Sequence, residues 1–235
     1  MPQDTLTQDE AFEVTATWYS DAENYWKNVP PTDDGMLGGF SILTGPDVKG
    51  SQDFLSTVIP KEHAAQLSAC DCGAGIGRVS KHFLLPYFSK VDLVEQNAQY
   101  LETARAETLA KEVKEGRAVQ FIPQGLQAFQ PEKDRYDVIW CQWVLSHLTD
   151  EDLVNFLKRC KSSLRQEGYI CVKENTLRTG TYKVDEEDSS VTRSDEVFKN
   201  IFSRAGLTLR KEEVQRGFPQ ELFPVRMYVM GKKRG

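Results

Sequence analysis

Asp71-Cys72-Gly73-Ala74-Gly75-Ile76-Gly77-Arg78 sets three glycines at alternate positions between a short apolar run and a stretch with helical periodicity. Glycine adopts backbone angles closed to other residues and lets a chain pass close to a ligand, so this loop between a strand and a helix suits a nucleotide-type cofactor. Leu67 to Cys70 reads as the end of a buried strand and Arg78 to Phe88 as an amphipathic helix. Glu95 closes the next apolar run, Val91-Asp92-Leu93-Val94. Lying about twenty residues beyond the loop, such a carboxylate can accept both ribose hydroxyls of an adenosine moiety.

The spacing bears on which cofactor. A dinucleotide fingerprint is G-x-G-x-x-G, its third glycine packing the helix on the sheet and its helix N-terminus facing a pyrophosphate. Here the glycines run G-x-G-x-G with Arg78 after them. That is more similar to the loop of class I methyltransferases, which passes under the methionine part of S-adenosylmethionine. A glycine-rich turn with no ligand is the competing reading.

Ligands of open α/β sheets bind outside the carboxyl ends of the strands. The candidates by that rule are Gly73, Glu95, Gln124 to Gln127, Gln142-Trp143, His147 just beyond, and Asn175. Polar Gln142 and Asn175 are unusual at the ends of apolar runs. Trp26 and Trp143 read equally well as packing residues from composition alone. His147, ahead of a helix cap, reads by itself as a surface or capping residue.

These positions need a scaffold, and the pattern supplies one. Strands are predicted near Ser68 to Cys72, Lys90 to Val94, Ala118 to Pro123, Tyr136 to Gln142, Tyr169 to Glu174, Thr208 to Val214 and Pro224 to Met230. Helices are predicted near Arg78 to Phe88, Gln99 to Lys114, Thr149 to Leu164 and Asp195 to Ala205, the third opened by the capping box Thr149-x-x-Asp152 and the last two closed by Gly168 and Gly206. Alternation implies a parallel sheet, and the last two strands, with no helix between them, form a hairpin. The expected fold is α/β: a seven-stranded, Rossmann-like class I methyltransferase sheet with helices on both faces and an N-terminal helical extension.

One domain over 1–235 is expected, with 1–60 as a helical and gate extension. Phe12, Trp18, Ala22, Tyr25 and Trp26 predict one or two helices over Gln8 to Lys27, ended by Pro30-Pro31. Thr32 to Gly50, rich in Gly, Asp and Pro, predicts a loop able to gate the site, and Ser51 a cap for a short helix to about Ile59. Thr176 to Arg193 predicts a second long loop, carrying Asp185-Glu186-Glu187-Asp188-Ser189-Ser190, of which Glu186 and Glu187 read as a solvated face.

The chain has 235 residues, 40% hydrophobic, enough for one sizeable core, and a formal net charge of -6. That balance argues against nucleic acid as a direct partner and favours approach of a cationic substrate. Cys70, Cys72, Cys141, Cys160 and Cys171 contain no C-x-x-C pair and read as reduced core residues, while His63, His82 and His147 lie far apart, so no metal is expected. Without an apolar signal core or a membrane-length run, cytoplasm, nucleus or both are expected.

Tyr25-Trp26-Lys27, Pro30-Pro31-Thr32, Asp34-Gly35-Met36-Leu37-Gly38-Gly39, the glycine loop, Gly125-Leu126-Gln127, Tyr136-Asp137-Val138-Ile139-Trp140, Gln142-Trp143-Val144, His147-Leu148-Thr149-Asp150 and Asp188-Ser189-Ser190-Val191 together resemble the eukaryotic protein α-N-terminal methyltransferases. These methylate the free α-amine of proteins beginning X-Pro-Lys or X-Pro-Arg after Met removal. The resemblance runs from about Tyr25 to the C-terminus. Glu95 stands where the family usually has Asp, and Lys173-Glu174-Asn175 where it has Lys-Asp-Asn.

The resemblance implies S-adenosylmethionine as cofactor and S-adenosylhomocysteine as product, held by Trp26, Gly73, Arg78, Glu95, Gln96, Asn97, Leu126, Gln127 and Gln142. It implies a peptide channel of Tyr25, Leu37, Trp143, Asn175, Asp185, Asp188 and Ser190. Asp188 and His147, with Asn175, would serve the reacting nitrogen, Asp188 as first proton acceptor and neutral His147 as a second. The implied partners are N-terminal tails of substrate proteins, ribosomal proteins among them. Two other readings stay open: a class I methyltransferase acting on a small amine or RNA, and a binding module that keeps the cofactor fold without turnover.

Overall fold

The computed structural model describes Phe12 and residues 14–233, so the expected helical start from Gln8 to Ala11 lies outside the described residues. Nine strands form one sheet: β1 (Ser68–Cys72), β2 (Lys90–Val94), β3 (Ala118–Ile122), β4 (Tyr136–Gln142), β5 (Leu164–Leu177), β6 (Tyr182–Asp185), β7 (Ser190–Ser194), β8 (Leu207–Val214) and β9 (Val225–Lys232). β1 to β5 are parallel in the order β3-β2-β1-β4-β5, and β9 lies antiparallel to β5 with β8 at its other edge. Those seven strands are the expected frame.

Alternation along the strands sends side chains into two cores. On β4, Ile139 and Cys141 join a cluster with Leu153, Phe156 and Phe198, while Val138 and Trp140 join one with Phe54, Phe83 and Tyr87. A sheet covered on both faces accounts for its near-continuous apolar runs. All five cysteines are buried and unpaired, Cys160 on a helix and the other four on strands.

The helices over the first face are α4 (Asp150–Ser163) and α5 (Asp195–Arg204), each capped by a side chain: Thr149 accepts from the Asp152 N–H at 3.2 Å and Ser194 from the Val197 N–H at 3.3 Å. Gly206, at φ +70°, follows α5 as expected. Gly168 does not close α4. The chain already leaves that helix at Leu164, and Gly168 lies inside β5, where a Cβ would come 3.1 Å from the carbonyls of Tyr136 and Asp137.

The N-terminal extension before the sheet includes the helices α1 (Trp18–Asn28), α2 (Asp33–Met36) and α3 (Thr44–Ser56). The expected loop over Thr32 to Gly50 is therefore mostly helical. Thr32 caps α2 by accepting from the Gly35 N–H at 3.0 Å. Pro46 sits in the first turn of α3, where no backbone N–H is needed. Ser51 is mid-helix rather than a cap, its hydroxyl donating to the Asp47 carbonyl at 3.0 Å.

The second expected loop is corrected as well. β5 continues to Leu177, and β6 and β7 form a hairpin that pairs with it through Thr176–Arg193 and Leu177–Ser194. The inward residues of β7 are Val191 and fully buried Arg193, whose guanidinium donates to Asp150 and to the carbonyls of Leu145 and Leu148. A strand that buries an arginine lacks the apolar signature that predicts strands.

Candidate active site

Where β1 ends, Gly73 and Gly75 have φ of +73° and +53°, and the N–H groups of Gly73 and Ala74 both donate to the Val94 carbonyl. Neither glycine tolerates a side chain: a Cβ on Gly73 would lie 2.4 Å from Val144, and one on Gly75 2.8 Å from Met36 Sδ. The loop is thus pressed between β2, the segment after β4 and the N-terminal extension. Glu95 reaches back to it, accepting from the Gly75 N–H at 3.0 Å and, through its other oxygen, from the Asn97 N–H at 2.9 Å. A carboxylate has about four lone-pair sites, so one on each oxygen is left for a diol. Burial pushes the Glu95 carboxyl up from its ordinary value, and these backbone donors pull the other way.

The loop and Glu95 open on a cleft of about 970 Å³ counted with the solvent at its mouth. Its walls bring together Trp26, Gly73, Arg78, Glu95, Gln96, Leu126, Gln127 and Gln142, with Trp143 and His147 beside them. Its aromatic and apolar walls with few fixed polar groups suit a nucleoside-type ligand. Asn97 instead faces its own helix, its side chain accepting from the N–H groups of Gln99 and Tyr100. Gln124, one of the strand-end candidates, also lines the cleft, as do Met36, Tyr100 and Val144, which sequence reasoning did not assign to it. Tyr100 earns attention only in three dimensions, where its hydroxyl donates to the carbonyls of Trp26 and Val29 at the end of α1.

A buried ion network holds one wall. Lys173, with no exposed surface, donates to the Asp47 carbonyl at 2.9 Å, to Asp47 Oδ1 at 2.5 Å and to Ser51 Oγ at 2.9 Å, which uses all three ammonium hydrogens. Asp47 also receives Arg78 at 2.8 Å and the Gln142 amide at 2.8 Å. Burial pushes the Lys173 ammonium down and Asp47 opposes that. Arg78 and Gln142 thus line the cleft while tied to α3. Asp47 was missed because Gly45-Pro46-Asp47 reads as an ordinary turn.

The segment after β4 is fixed just as closely. Trp143 takes a φ of +52°, rare for a bulky residue, and its N–H donates to the Lys173 carbonyl at 3.1 Å. The next two N–H groups, of Val144 and Leu145, donate to one oxygen of buried Glu174 at 2.7 and 2.8 Å. Burial pushes the Glu174 carboxyl up to about 7 against those donors. The Trp143 ring lies 5.7 Å from the Arg78 guanidinium and 6.3 Å from the Phe218 ring, and its Nε1 is buried with no partner.

His147 follows on the same segment. Trp18 donates its indole N–H to the His147 carbonyl at 2.8 Å, Trp26 donates to His147 Nε2 at 3.0 Å, and Nδ1 lies 3.3 Å from the Ser189 carbonyl. Burial pushes the imidazole below its ordinary value, opposed by Asp188. Asp188 has one carboxylate oxygen buried and without a hydrogen-bond partner. Tyr25 faces the same turn: burial pushes its phenol up, and Asp188, Glu187 and Asp185 add to the shift. Glu187 is exposed, as expected, and its charge adds to that of the acidic turn, which Asp185 holds by accepting from the Glu187 N–H at 3.0 Å. Ser190 pairs with Asp185 across the hairpin, Asn175 follows Glu174 on β5, and Leu37 follows α2; these three lie outside the walls of the cofactor cleft.

The geometry therefore joins two compartments at Trp143 and His147: a cleft fitted to an adenosine, and an acidic, aromatic turn fitted to a cation. Among the described residues no cluster of His, Cys, Asp and Glu could hold a metal ion, and no helix is long and apolar enough to cross a membrane. Residues 15–231 match the model of a family described as AdoMet dependent proline di-methyltransferase. The chain is 46% identical to the curated N-terminal Xaa-Pro-Lys N-methyltransferase 1 of Danio rerio, over 95% of this chain and 97% of that one. It is 46% identical to the α N-terminal protein methyltransferase 1 of Schizosaccharomyces pombe, over 91% and 95%. A solved Leishmania major structure, described as a SAM-dependent methyltransferase, superposes with a TM-score of 0.83 at 38% identity, covering 91% of this chain and 82% of that one.

Proposed function

We infer the activity from the premise that this chain belongs to the AdoMet-dependent proline dimethyltransferase family: it transfers methyl groups from S-adenosylmethionine to the free α-amine of proteins beginning X-Pro-Lys or X-Pro-Arg. The observation that carries the reading into this chain's own residues is the buried, unpartnered oxygen of Asp188 next to the partly buried Trp143–His147 segment. A carboxylate so placed attracts an ammonium.

The residues fit the cofactor. Gly73 and Gly75 bring the loop backbone to the cleft wall, Glu95 keeps two lone pairs for its ribose, and Trp26, Leu126 and Gln127 wall the cleft. When bound, S-adenosylmethionine supplies an electrophilic methyl on a sulfonium sulfur, and S-adenosylhomocysteine is the product. An α-amine has a pKa of about 7.7 to 8.0 and is mostly ammonium at neutral pH, so a modest base suffices to free its lone pair. In our reading Asp188 draws in the ammonium and takes its proton, Asn175 holds a peptide carbonyl, and Asp185, with Glu187 beside it, faces the basic third residue. Trp143 presents its ring to the amine as that group becomes permanently charged. Tyr25, Leu37 and Ser190 complete the channel. Proline at the second position carries no N–H and costs little entropy to order there.

The partners we propose are the N-terminal tails of proteins with such starts, ribosomal proteins among them. Cytoplasm and nucleus are the proposed compartments, supported by five buried, unpaired cysteines. Incubation with labelled cofactor and, separately, an X-Pro-Lys peptide, a small amine and an RNA tests the reading. Label in the peptide alone supports it, and label in the RNA or the small amine alone overturns it.

A further inference from the structure

His147 is gripped by groups whose hydrogen-bonding sense is fixed. An indole N–H only donates, so Trp26, 3.0 Å from Nε2, requires that nitrogen to be unprotonated. The neutral ring then carries its hydrogen on Nδ1, 3.3 Å from the Ser189 carbonyl, which only accepts. Both nitrogens are thereby used. A second proton could enter only at Nε2, where it would face the Trp26 N–H, two donors about one hydrogen bond apart. Of the charged groups nearby, Asp188 on the hairpin turn favours imidazolium, while Arg193 is engaged by the carbonyls of Leu145 and Leu148 on either side of the ring's segment.

The ring's other neighbour is strained. Ser189 has a φ of +50°, a region serine rarely adopts, and directly follows Asp188. Its carbonyl is the group that His147 Nδ1 faces. We propose that His147 is a positioning residue and not a proton acceptor: held as the Nδ1–H tautomer by Trp26, it fixes the Ser189 carbonyl and so aims Asp188 at the reacting nitrogen. Asp188 alone takes the ammonium proton and returns it to solvent. This revises the second-acceptor role that family resemblance implies for His147, and rests on the N-terminal methyltransferase reading for the identity of the amine. It also gives Trp18 and Trp26, on one helix, a shared task, since they hold the His147 carbonyl and ring respectively.

Long-range ¹H–¹⁵N spectra of the full chain, without substrate, read the tautomer directly. The proton is expected on Nδ1, and Trp26→Phe, which removes the donor, should admit the Nε2–H form and raise the pH at which the ring titrates. In kinetics with a Ser-Pro-Lys peptide, His147→Asn places an amide N–H where Nδ1–H was. It should keep kcat within about tenfold of the parent, with the acid limb of the kcat profile unmoved, whereas His147→Ala should lose about a hundredfold through misplacement of Asp188. Cofactor affinity should stay within about threefold in both variants, the loss being in kcat. A proton found on Nε2, or equal losses of about a hundredfold or more in both variants with the acid limb abolished, would overturn the proposal. If the parent itself fails to methylate the peptide, the functional reading falls while the spectrum still decides the tautomer.

Discussion

Replacing Glu95 by Ala tests the cofactor cleft at its most exposed assumption. The carboxylate accepts one bond from Gly75 of the loop and one from the Asn97 N–H just after β2, and has one lone pair on each oxygen left for a ribose diol. Each charge-assisted bond contributes about 1.5 to 3 kcal/mol, but water can replace part of the lost pair, since the freed Gly75 N–H borders the cleft. A net loss of about 2 to 4 kcal/mol follows, which is roughly thirtyfold to a thousandfold in Kd. Asp at the same position keeps the charge but shortens the arm by one methylene, so it should retain affinity within about tenfold. Calorimetric titration of S-adenosylmethionine into each folded variant measures this. Unchanged affinity in Glu95→Ala, with the parent's circular dichroism preserved, would refute the assignment.

Asp188→Asn keeps the shape and removes the charge, so kcat should fall by about a hundredfold or more with cofactor affinity little changed; a rate near the parent's at saturating peptide would remove its role as base. Lys173→Met leaves Asp47 with Arg78 and Gln142 only, and should destabilise the chain by about 3 kcal/mol, or roughly 6 to 12 °C in Tm, whereas a shift under about 2 °C would show that the network is unimportant to stability. Glu174 titrates near 7 when folded against an ordinary 4.5, so the folded state holds its proton more tightly than the unfolded one. Stability therefore falls as pH rises from about 4.5 to 7 and levels off above. Glu174→Gln should remove that part of the fall, leaving the shares of Asp71, which titrates near 6, and of Glu95, which burial also raises; identical Tm-versus-pH slopes in parent and variant would contradict it.

Much of the frame was legible because a sheet buried on both faces must be apolar along its strands, and β1, β2 and β4 are. The glycine loop and Glu95 were legible because close approach to a ligand restricts residue type. The hairpin β6–β7 was not, since its inward Arg193 and its acidic turn carry loop signals. Nor was α3: Gly45 and Pro46 read as breakers, and the Asp47–Lys173 pair that docks it joins positions 126 residues apart. Asp188 and Tyr25 entered through family resemblance alone, because a carboxylate in a charged run differs from its neighbours only in what it faces once folded. His147 shows the converse. Its residue type suggested proton transfer, while its partners, Trp26 and the Ser189 carbonyl, decide which nitrogen bears a proton.

The central claim is that the acceptor is a free α-amine read together with a following proline and a basic third residue. Tandem mass spectrometry of a Ser-Pro-Lys peptide after incubation with the full chain and S-adenosylmethionine tests it, alongside the same peptide N-acetylated, whose amide nitrogen has no available lone pair. Methyl groups on the α-nitrogen of the free peptide and none on the acetylated one are expected. Methyl groups on the lysine side chain, or equal turnover of the acetylated peptide, would contradict the account.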